Sequence, residues 1–243
     1  MPGSVWVVIP TYNEAENVRL IVAAVLESLT PVAAGGLRVL VVDDGSPDGT
    51  GRIADAMAAA DSRIDVLHRE TKEGLGPAYV AGFRAALAGG ADYIFELDAD
   101  FSHDPGDLPR LLAAAREGAD LVLGSRYVEG GGVTEWHWLR RAVSRGGCWY
   151  ARRMLGVRVR DLTGGFKCFR ADTLRSIDYE TVGAHGYAFQ VELTYRALRR
   201  ELAVVELPII FHERREGESK MSGAIAIEAF WRVPLLRVRR QSR

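Results

Sequence analysis

The chain has 243 residues, 48% of them hydrophobic, with 26 Gly and 9 Pro, which is enough to bury one sizeable α/β core. Its 31 Lys and Arg nearly balance 32 Asp and Glu, so no overall field points to nucleic acid, and charged ligands must be met by local clusters. Cys148 and Cys168 stand alone without zinc-type spacing, which predicts free thiols in a reducing interior and no disulfide.

The first element is a strand over Val5 to Ile9, with no basic leader before it. No uninterrupted apolar run approaches the ~20 residues that cross a bilayer, so the chain is expected to be cytosolic or peripheral. Val18, Ile21, Val22, Val25 and Leu29 then recur at i, i+3, i+4, i+7 and i+11, one apolar stripe of a first helix. Further strands are predicted at Val39 to Val42, Ile64 to Leu67, Tyr93 to Leu97 and Leu121 to Leu123, with helical stretches between them. Pro77 suits the first turn of the helix after Gly74-Leu75-Gly76. This rhythm predicts a mainly parallel sheet covered by helices on both faces, with ligands beyond the carboxyl ends of the strands. After about residue 125 the pattern loosens into a helix over Trp138 to Leu155, a Gly-bearing Asp161 to Phe166, a helix over Tyr187 to Arg200 and a strand over Val204 to Ile210. Glu213 to Gly223, rich in charge, Gly and Ser, reads as a mobile loop.

The polar residues just after the strands carry the chemistry. Pro10-Thr11-Tyr12-Asn13-Glu14 follows the first strand, Asp43-Asp44-Gly45-Ser46 the second, and Asp98-Ala99-Asp100 the fourth. Acids at i and i+2 point to one side of an extended chain, so Asp98 and Asp100 can share a site. Two carboxylates ~4 Å apart repel by about 4 kcal/mol at an effective dielectric near 20. A divalent cation removes that penalty, and magnesium or manganese completes its shell with phosphate oxygens.

These motifs, with Gly217-Glu218-Ser219-Lys220, resemble family 2 glycosyltransferases of the dolichol-phosphate mannose synthase type, over nearly the whole chain. Gly124-Ser125-Arg126-Tyr127, Ser144-Arg145-Gly146 and Asp161-Leu162-Thr163-Gly164 belong more closely to that subgroup. The resemblance implies a GT-A nucleotide-sugar fold and an inverting transfer of mannose from GDP-mannose to a polyprenyl phosphate. It also implies that Pro10, Tyr12, Glu14 and Asp43 cradle the nucleoside, and that Asp98, Ala99 and Asp100 serve the ribose and metal region. Asp98 and Asp100 would hold the metal, Mg2+ or Mn2+. Some relatives carry Gln where this chain has Ser102, which leaves the third protein ligand open. Arg214 and Lys220 would reach the diphosphate, while Arg126 and Arg145 would hold the acceptor phosphate. Together with Asp100, these four form the expected catalytic set. The implied setting is the cytoplasmic face of a membrane, and relatives without membrane spans often rely on an anchoring partner protein. A UDP-glucose-dependent prenyl-phosphate glucosyltransferase remains an alternative, as does a non-catalytic nucleotide-sugar-binding subunit. A polysaccharide-forming enzyme would want membrane helices and a base for a neutral hydroxyl.

Duller readings stand beside these. Asp43 to Ser46 could be a simple turn with a cap, and Asp104 before Pro105 reads as a helix cap. Arg126, Arg145, Arg214 and Lys220 could be surface or ion-pair charges, although the planar fork of Arg suits phosphate. His103, His137, His185 and His212 form no catalytic pattern, Trp136 and Trp138 read as packing, and Tyr187 and Phe189 as core. Residues 1–222 are expected to form the catalytic domain. The remainder, 223–243, is an amphipathic helix with a basic tail, in which Ile227, Phe230, Trp231, Leu235 and Val238 share a face. That helix either lies in a membrane interface or packs on the domain.

Overall fold

A computed structural model describes residues 3–183, 186–213 and 232–237. Seven strands form the main sheet: β1 (Val5–Thr11), β2 (Leu37–Asp43), β3 (Ile64–His68), β4 (Tyr93–Glu96), β5 (Leu121–Ser125), β7 (Lys167–Arg170) and β8 (Val204–Pro208), ordered β3-β2-β1-β4-β7-β5-β8. Two short strands, β6 (Gly132–Val133) and β9 (Ile210–Phe211), pair separately. The expected run from Val204 to Ile210 is thus divided. Pro208 has no N–H to continue the ladder, and buried Ile209 separates β8 from β9.

Helices α1 (Val18–Leu29), α2 (Thr50–Ala60) and α4 (Leu108–Arg116) cover one face of the sheet, and α3 (Leu75–Ala88), α5 (Trp138–Leu155), α6 (Ala171–Ser176) and α7 (Gly186–Arg199) the other. Val5, Val7 and Ile9 pack with the α1 stripe, whereas Val8 packs with Tyr79 and Phe83 of α3. Successive strand residues face opposite sides, and both sides are covered, which is why the strands read as unbroken apolar runs. A Cβ on Gly82 would lie 2.3 Å from Val8 Cγ1, so glycine is what lets α3 approach β1 so closely.

The expected mainly parallel sheet is present, with one inserted exception. β7 runs antiparallel to both β4 and β5. A parallel strand offers the ligand edge the loop that follows it, but an antiparallel strand offers the loop that precedes it. The turn 161–166 ahead of β7 therefore reaches the same edge as Asp98 and Asp100. Asp104 caps the next helical turn as expected, accepting from Gly106 N at 2.8 Å.

Residues 232–237 are helical and pack on the domain: Val233 is 2% exposed, and Arg237 Nη1 donates to Met154 O at 3.0 Å. The rest of the expected C-terminal element, with Ile227, Phe230, Trp231 and Val238, lies outside the described residues, as do Arg214, Gly217, Lys220, His185 and the side chain of Tyr187. Among the described residues, no helix is long and apolar enough to cross a membrane. Cys148 and Cys168 are free and buried, and burial pushes the Cys148 thiol up to about 11.

Candidate active site

A cleft of about 460 Å3 opens at the carboxyl edge of the sheet. At one end are Pro10 near the end of β1 and Tyr12 and Glu14 from the loop after it, with Asp44 after β2, Lys72 to Gly74 before α3 and Leu75 at its first position. β1 and β2 end level, with Thr11 paired to Asp43, so their loops emerge together. Side chains lace these loops: Asn13 N donates to Ser46 Oγ at 3.0 Å, Glu14 N to Thr50 Oγ1 at 2.9 Å, and Ala15 N to Asp48 Oδ2 at 3.0 Å. Asp43 sits beneath, accepting from Ser46 Oγ at 2.5 Å and Thr11 Oγ1 at 3.3 Å, while Asp44 lines the cleft and accepts from Gly74 N at 3.0 Å. Lys72 Nζ lies 3.9 Å from the centre of the Tyr12 ring.

In the middle, β4 ends at Glu96, and Asp98, Ala99 and Asp100 all line the cleft. Tyr79 OH donates to Asp98 Oδ1 at 3.2 Å, and burial together with the Asp98 charge holds that phenol well above its usual value, so it keeps its proton. Ser102 N donates to Asp100 Oδ1 at 3.0 Å. The turn between them depends on Phe101 at φ 58°, a left-handed conformation that costs a non-glycine residue about 1–3 kcal/mol and is typical of sites held in place by their surroundings. Gly165 faces the same spot, since a Cβ there would lie 3.3 Å from Gln190 Nε2 and 3.6 Å from Asp98 Oδ2.

The far end holds Arg126, Trp136, Arg140, Thr163 and Phe211. Arg126 is buried and clasped by Asp161: Nε donates to Oδ2 and Nη2 to Oδ1, both at 2.7 Å, and Nη2 also reaches Thr163 Oγ1 at 2.8 Å. Burial opposes charge on both partners, but their mutual attraction outweighs it, holding Asp161 below and Arg126 far above their ordinary values. Arg145, on α5, does not line the cleft, yet its Cζ lies 5.8 Å from the Tyr127 ring, and Arg126 Cζ lies 5.2 Å from the same ring. The two arginines expected to act together are thus neighbours with unequal roles, one locked in an ion pair and one exposed on a helix.

Four polar atoms in residues lining the cleft, Ser102 Oγ, His103 Nδ1, Trp136 Nε1 and Gln190 Nε2, are buried with no hydrogen-bond partner among the described residues. Each such group costs about 1–3 kcal/mol unless a ligand or solvent satisfies it. His103 stacks on Phe166 with centroids 5.1 Å apart, and burial pushes its imidazole down to about 4, so it is neutral near pH 7. Below the floor, Glu96 and Lys167 face each other at 3.6 Å, fully buried. Burial lifts the carboxyl to about 7 against the opposing Lys167 charge, and lowers the amine.

The cleft thus gathers Pro10, Tyr12, Glu14, Asp98, Ala99, Asp100 and Arg126 from the sequence reading. It adds Asp44, Lys72, Arg140, Gln190, His103 and Trp136 as wall residues; Trp136 is buried edge-on to Phe211, as a packing residue should be, whereas Trp138, also expected to pack, is 68% exposed because it falls on the outward side of α5. Gln190 carries a signal of its own, a polar residue between Phe189 and Val191 on the buried side of α7.

The family model described as Glycosyl transferase family 2 matches residues 6–178. Polyprenol monophosphomannose synthase of Mycolicibacterium smegmatis is 49% identical over 228 residues, 93% of this chain and 84% of that protein. Undecaprenyl-phosphate mannosyltransferase of Micrococcus luteus is 51% identical over 222 residues, 91% of this chain and 89% of that one. Among solved structures, glucosyl-3-phosphoglycerate synthase from Mycobacterium tuberculosis in complex with phosphoglyceric acid superposes with a TM-score of 0.70 at 22% identity, covering 99% of this chain and 82% of that one. The same enzyme with Mn2+, UDP-glucose and phosphoglyceric acid gives 0.68 at 22% identity, covering 97% and 79%. At that identity the likeness speaks to the fold.

Proposed function

The chain belongs to glycosyl transferase family 2 and has the GT-A fold, and on that premise we propose that it transfers mannose from GDP-mannose to the phosphate of a polyprenyl lipid, with inversion at the anomeric carbon. The observation that carries this reading is the order of groups along one cleft: laced nucleoside-type loops, then the Asp98 and Asp100 pair, then arginines. The two mannosyltransferase relatives, each matched over more than nine-tenths of this chain, supply the sugar and the acceptor class.

In this reading Pro10, Tyr12, Glu14 and Asp44 receive the nucleoside, with Asp43 bracing the loop through Ser46 and Thr11. Asp98 and Asp100 fit a divalent cation, because they and the unpartnered buried Ser102 hydroxyl make a set of hard oxygen donors. Magnesium or manganese held there supplies positive charge to the departing diphosphate. Arg214 and Lys220 are proposed to do the same from the segment outside the described residues. Sugar and phosphate oxygens of the donor offer partners to Trp136 Nε1, Gln190 Nε2 and His103 Nδ1. Arg126 and Arg145 hold the acceptor phosphate, whose oxygen attacks the anomeric carbon as the bond to the diphosphate breaks. A phosphate monoester, with a second pKa near 6, is already anionic at neutral pH, so no side chain need take a proton from it.

Because the acceptor is a membrane lipid, the protein works at a membrane surface. The test is transfer of labelled sugar to a prenyl phosphate from GDP-mannose and from UDP-glucose, with and without magnesium or manganese. Transfer from GDP-mannose that depends on metal is expected. Equal or better transfer from UDP-glucose would replace the donor assignment, and binding of the nucleotide sugar without transfer would leave only a binding subunit.

A further inference from the structure

Helix α5 buries only Cys148, Ala151 and Leu155, and its outward side is apolar. Trp138 is 68% exposed, Leu139 54%, Val143 59% and Trp149 65%. These positions, at i, i+1, i+5 and i+11, fall together on the surface of one helix, with the small Ala142 and Gly146 between them. Four large apolar side chains concentrated on one exposed helix mark an interaction surface rather than ordinary scatter.

The charge on that helix is of one sign. The helix carries Arg140, Arg141, Arg145, Arg152 and Arg153 and no Asp or Glu. Among the described residues, only Arg140 of these forms a salt bridge, with Glu213 at 2.8 Å. Beside Trp149 a shallow basin of about 490 Å3 lies between Arg152, Arg153, Gly156 and Val157, and the Arg152 Nε is buried there without a hydrogen-bond partner.

We propose that this face of α5 docks the protein on an anionic lipid bilayer, with Trp138, Leu139, Val143 and Trp149 in the headgroup boundary and a lipid phosphate seated between Arg152 and Arg153. Charge complementarity selects this occupant. A second copy packed face to face would bring the same arginines against each other, whereas an anionic headgroup layer pairs with Arg145, Arg152 and Arg153, which form no salt bridge among the described residues. Trp suits such a boundary because its ring is apolar and its N–H polar. The docking also deepens the proposed transfer, on which its biological use rests. Arg145 lies on the same helix, beside the Tyr127 ring, and Tyr127 OH donates to Ser144 Oγ at 2.6 Å. Setting α5 in the headgroup layer would therefore bring Arg145 to the depth at which a polyprenyl phosphate presents its charge.

The experiment measures co-sedimentation of the full chain with phosphatidylcholine vesicles, with and without phosphatidylglycerol, in the absence of either substrate. Tryptophan emission and its quenching by brominated lipid are read in parallel. Wild type should bind the anionic vesicles with a blue-shifted, quenched emission. Trp138→Ser/Trp149→Ser and Leu139→Gln/Val143→Gln should each lower the partition coefficient roughly tenfold or more. Arg152→Gln/Arg153→Gln should lose the dependence on phosphatidylglycerol. All three should melt with wild type and keep transfer to a soluble short-chain prenyl phosphate, while losing transfer to a long-chain acceptor in vesicles. Wild-type failure to bind, or variants that bind normally, would overturn the proposal. Lowered melting temperature with unchanged vesicle binding would also overturn it, by showing that the face is covered by the protein itself. If wild type binds vesicles but transfers no mannose to any prenyl phosphate, the docking face stands and the transfer reading fails.

Discussion

Replacing Asp161 with Asn removes one charge at nearly constant volume, and so isolates what that carboxylate does for Arg126. In the native site Asp161 accepts from Arg126 N at 3.0 Å and from Nε and Nη2 at 2.7 Å each, with both side chains almost wholly buried. An Asn side chain can accept through one oxygen only, and its amide N–H groups would face the guanidinium donors. The result is an uncompensated cation in the interior, a defect of about 3–5 kcal/mol. For a chain of this length, ~1 kcal/mol lowers Tm by about 2–4 °C, so the expected drop is roughly 6–20 °C by calorimetry or circular dichroism. Asp161→Asn/Arg126→Met, which removes the stranded charge as well, should recover part of that loss. The pH dependence has a definite sign. The folded carboxyl lies below its ordinary 3.8, so its contribution is present above that value and is lost as pH falls through the folded pKa. The stability curves of wild type and Asp161→Asn should therefore converge in acid. A variant melting within ~2 °C of wild type at neutral pH would refute the reasoning, because it would mean that the pair contributes little beyond its own desolvation.

Asp100→Asn should abolish metal-dependent transfer while leaving ligand-free unfolding nearly unchanged, and near-normal turnover in magnesium or manganese would remove Asp100 from the metal site. Arg145→Ala should raise the KM for the prenyl phosphate about ten- to a hundredfold with calorimetric GDP-mannose affinity intact, since a charge-assisted bond is worth ~1.5–3 kcal/mol. Loss of donor binding instead would move this arginine to the diphosphate. Glu96, lifted from 4.5 to about 7 by burial, holds its proton more tightly folded than unfolded, so its contribution is full below about 4.5 and is lost as pH rises through about 7. Glu96→Gln should flatten that decline, on the order of 2 kcal/mol in urea melts between pH 5 and 8; an unchanged slope would assign it to other groups.

The parallel half of the molecule was legible because its physics is local. Val5, Val7 and Ile9 alternate with Val8 between two covered faces, the α1 stripe keeps its helical period, and the ends of β1 and β2 deliver their loops to one edge. β7 was not legible. Its four residues, Lys167, Cys168, Phe169 and Arg170, look polar at both ends, and only tertiary placement puts Lys167 opposite Glu96 in the interior. Gln190 and Arg140 were missed for a related reason: both belong to helices rather than to loops after strands, and folding alone brings them to the cleft. The sequence could pair Arg126 with Arg145 as candidate phosphate ligands. It could not show that Asp161 already clasps one of them, because that contact spans 35 residues and depends on the antiparallel insertion.

That insertion also bears on why a phosphate is the fitting acceptor. An inverting transfer to a neutral hydroxyl wants a carboxylate or imidazole of suitable basicity beside the attacking oxygen. At the acceptor end the imidazole that lines the cleft, His103, is held to about 4 by burial and is a poor base, and the carboxylate brought in by the turn before β7, Asp161, is committed to Arg126. Glu96, whose carboxyl lies near 7, sits under the floor opposite Lys167 rather than in the cleft wall. The acids at the nucleoside end are engaged as well: Asp44 and Glu73 are both bonded to Arg69, and Glu14 accepts from Asn17 Nδ2 at 2.9 Å. What faces the acceptor end is cationic or neutral and donating: Arg126, Arg140 with its Cζ 4.2 Å from the Trp136 ring, and the Gln190 amide. Such a wall attracts an anion and does little to deprotonate an alcohol. A nucleophile that arrives already ionised, as a phosphate monoester does near neutral pH, meets there the charge it needs and no base it would not use.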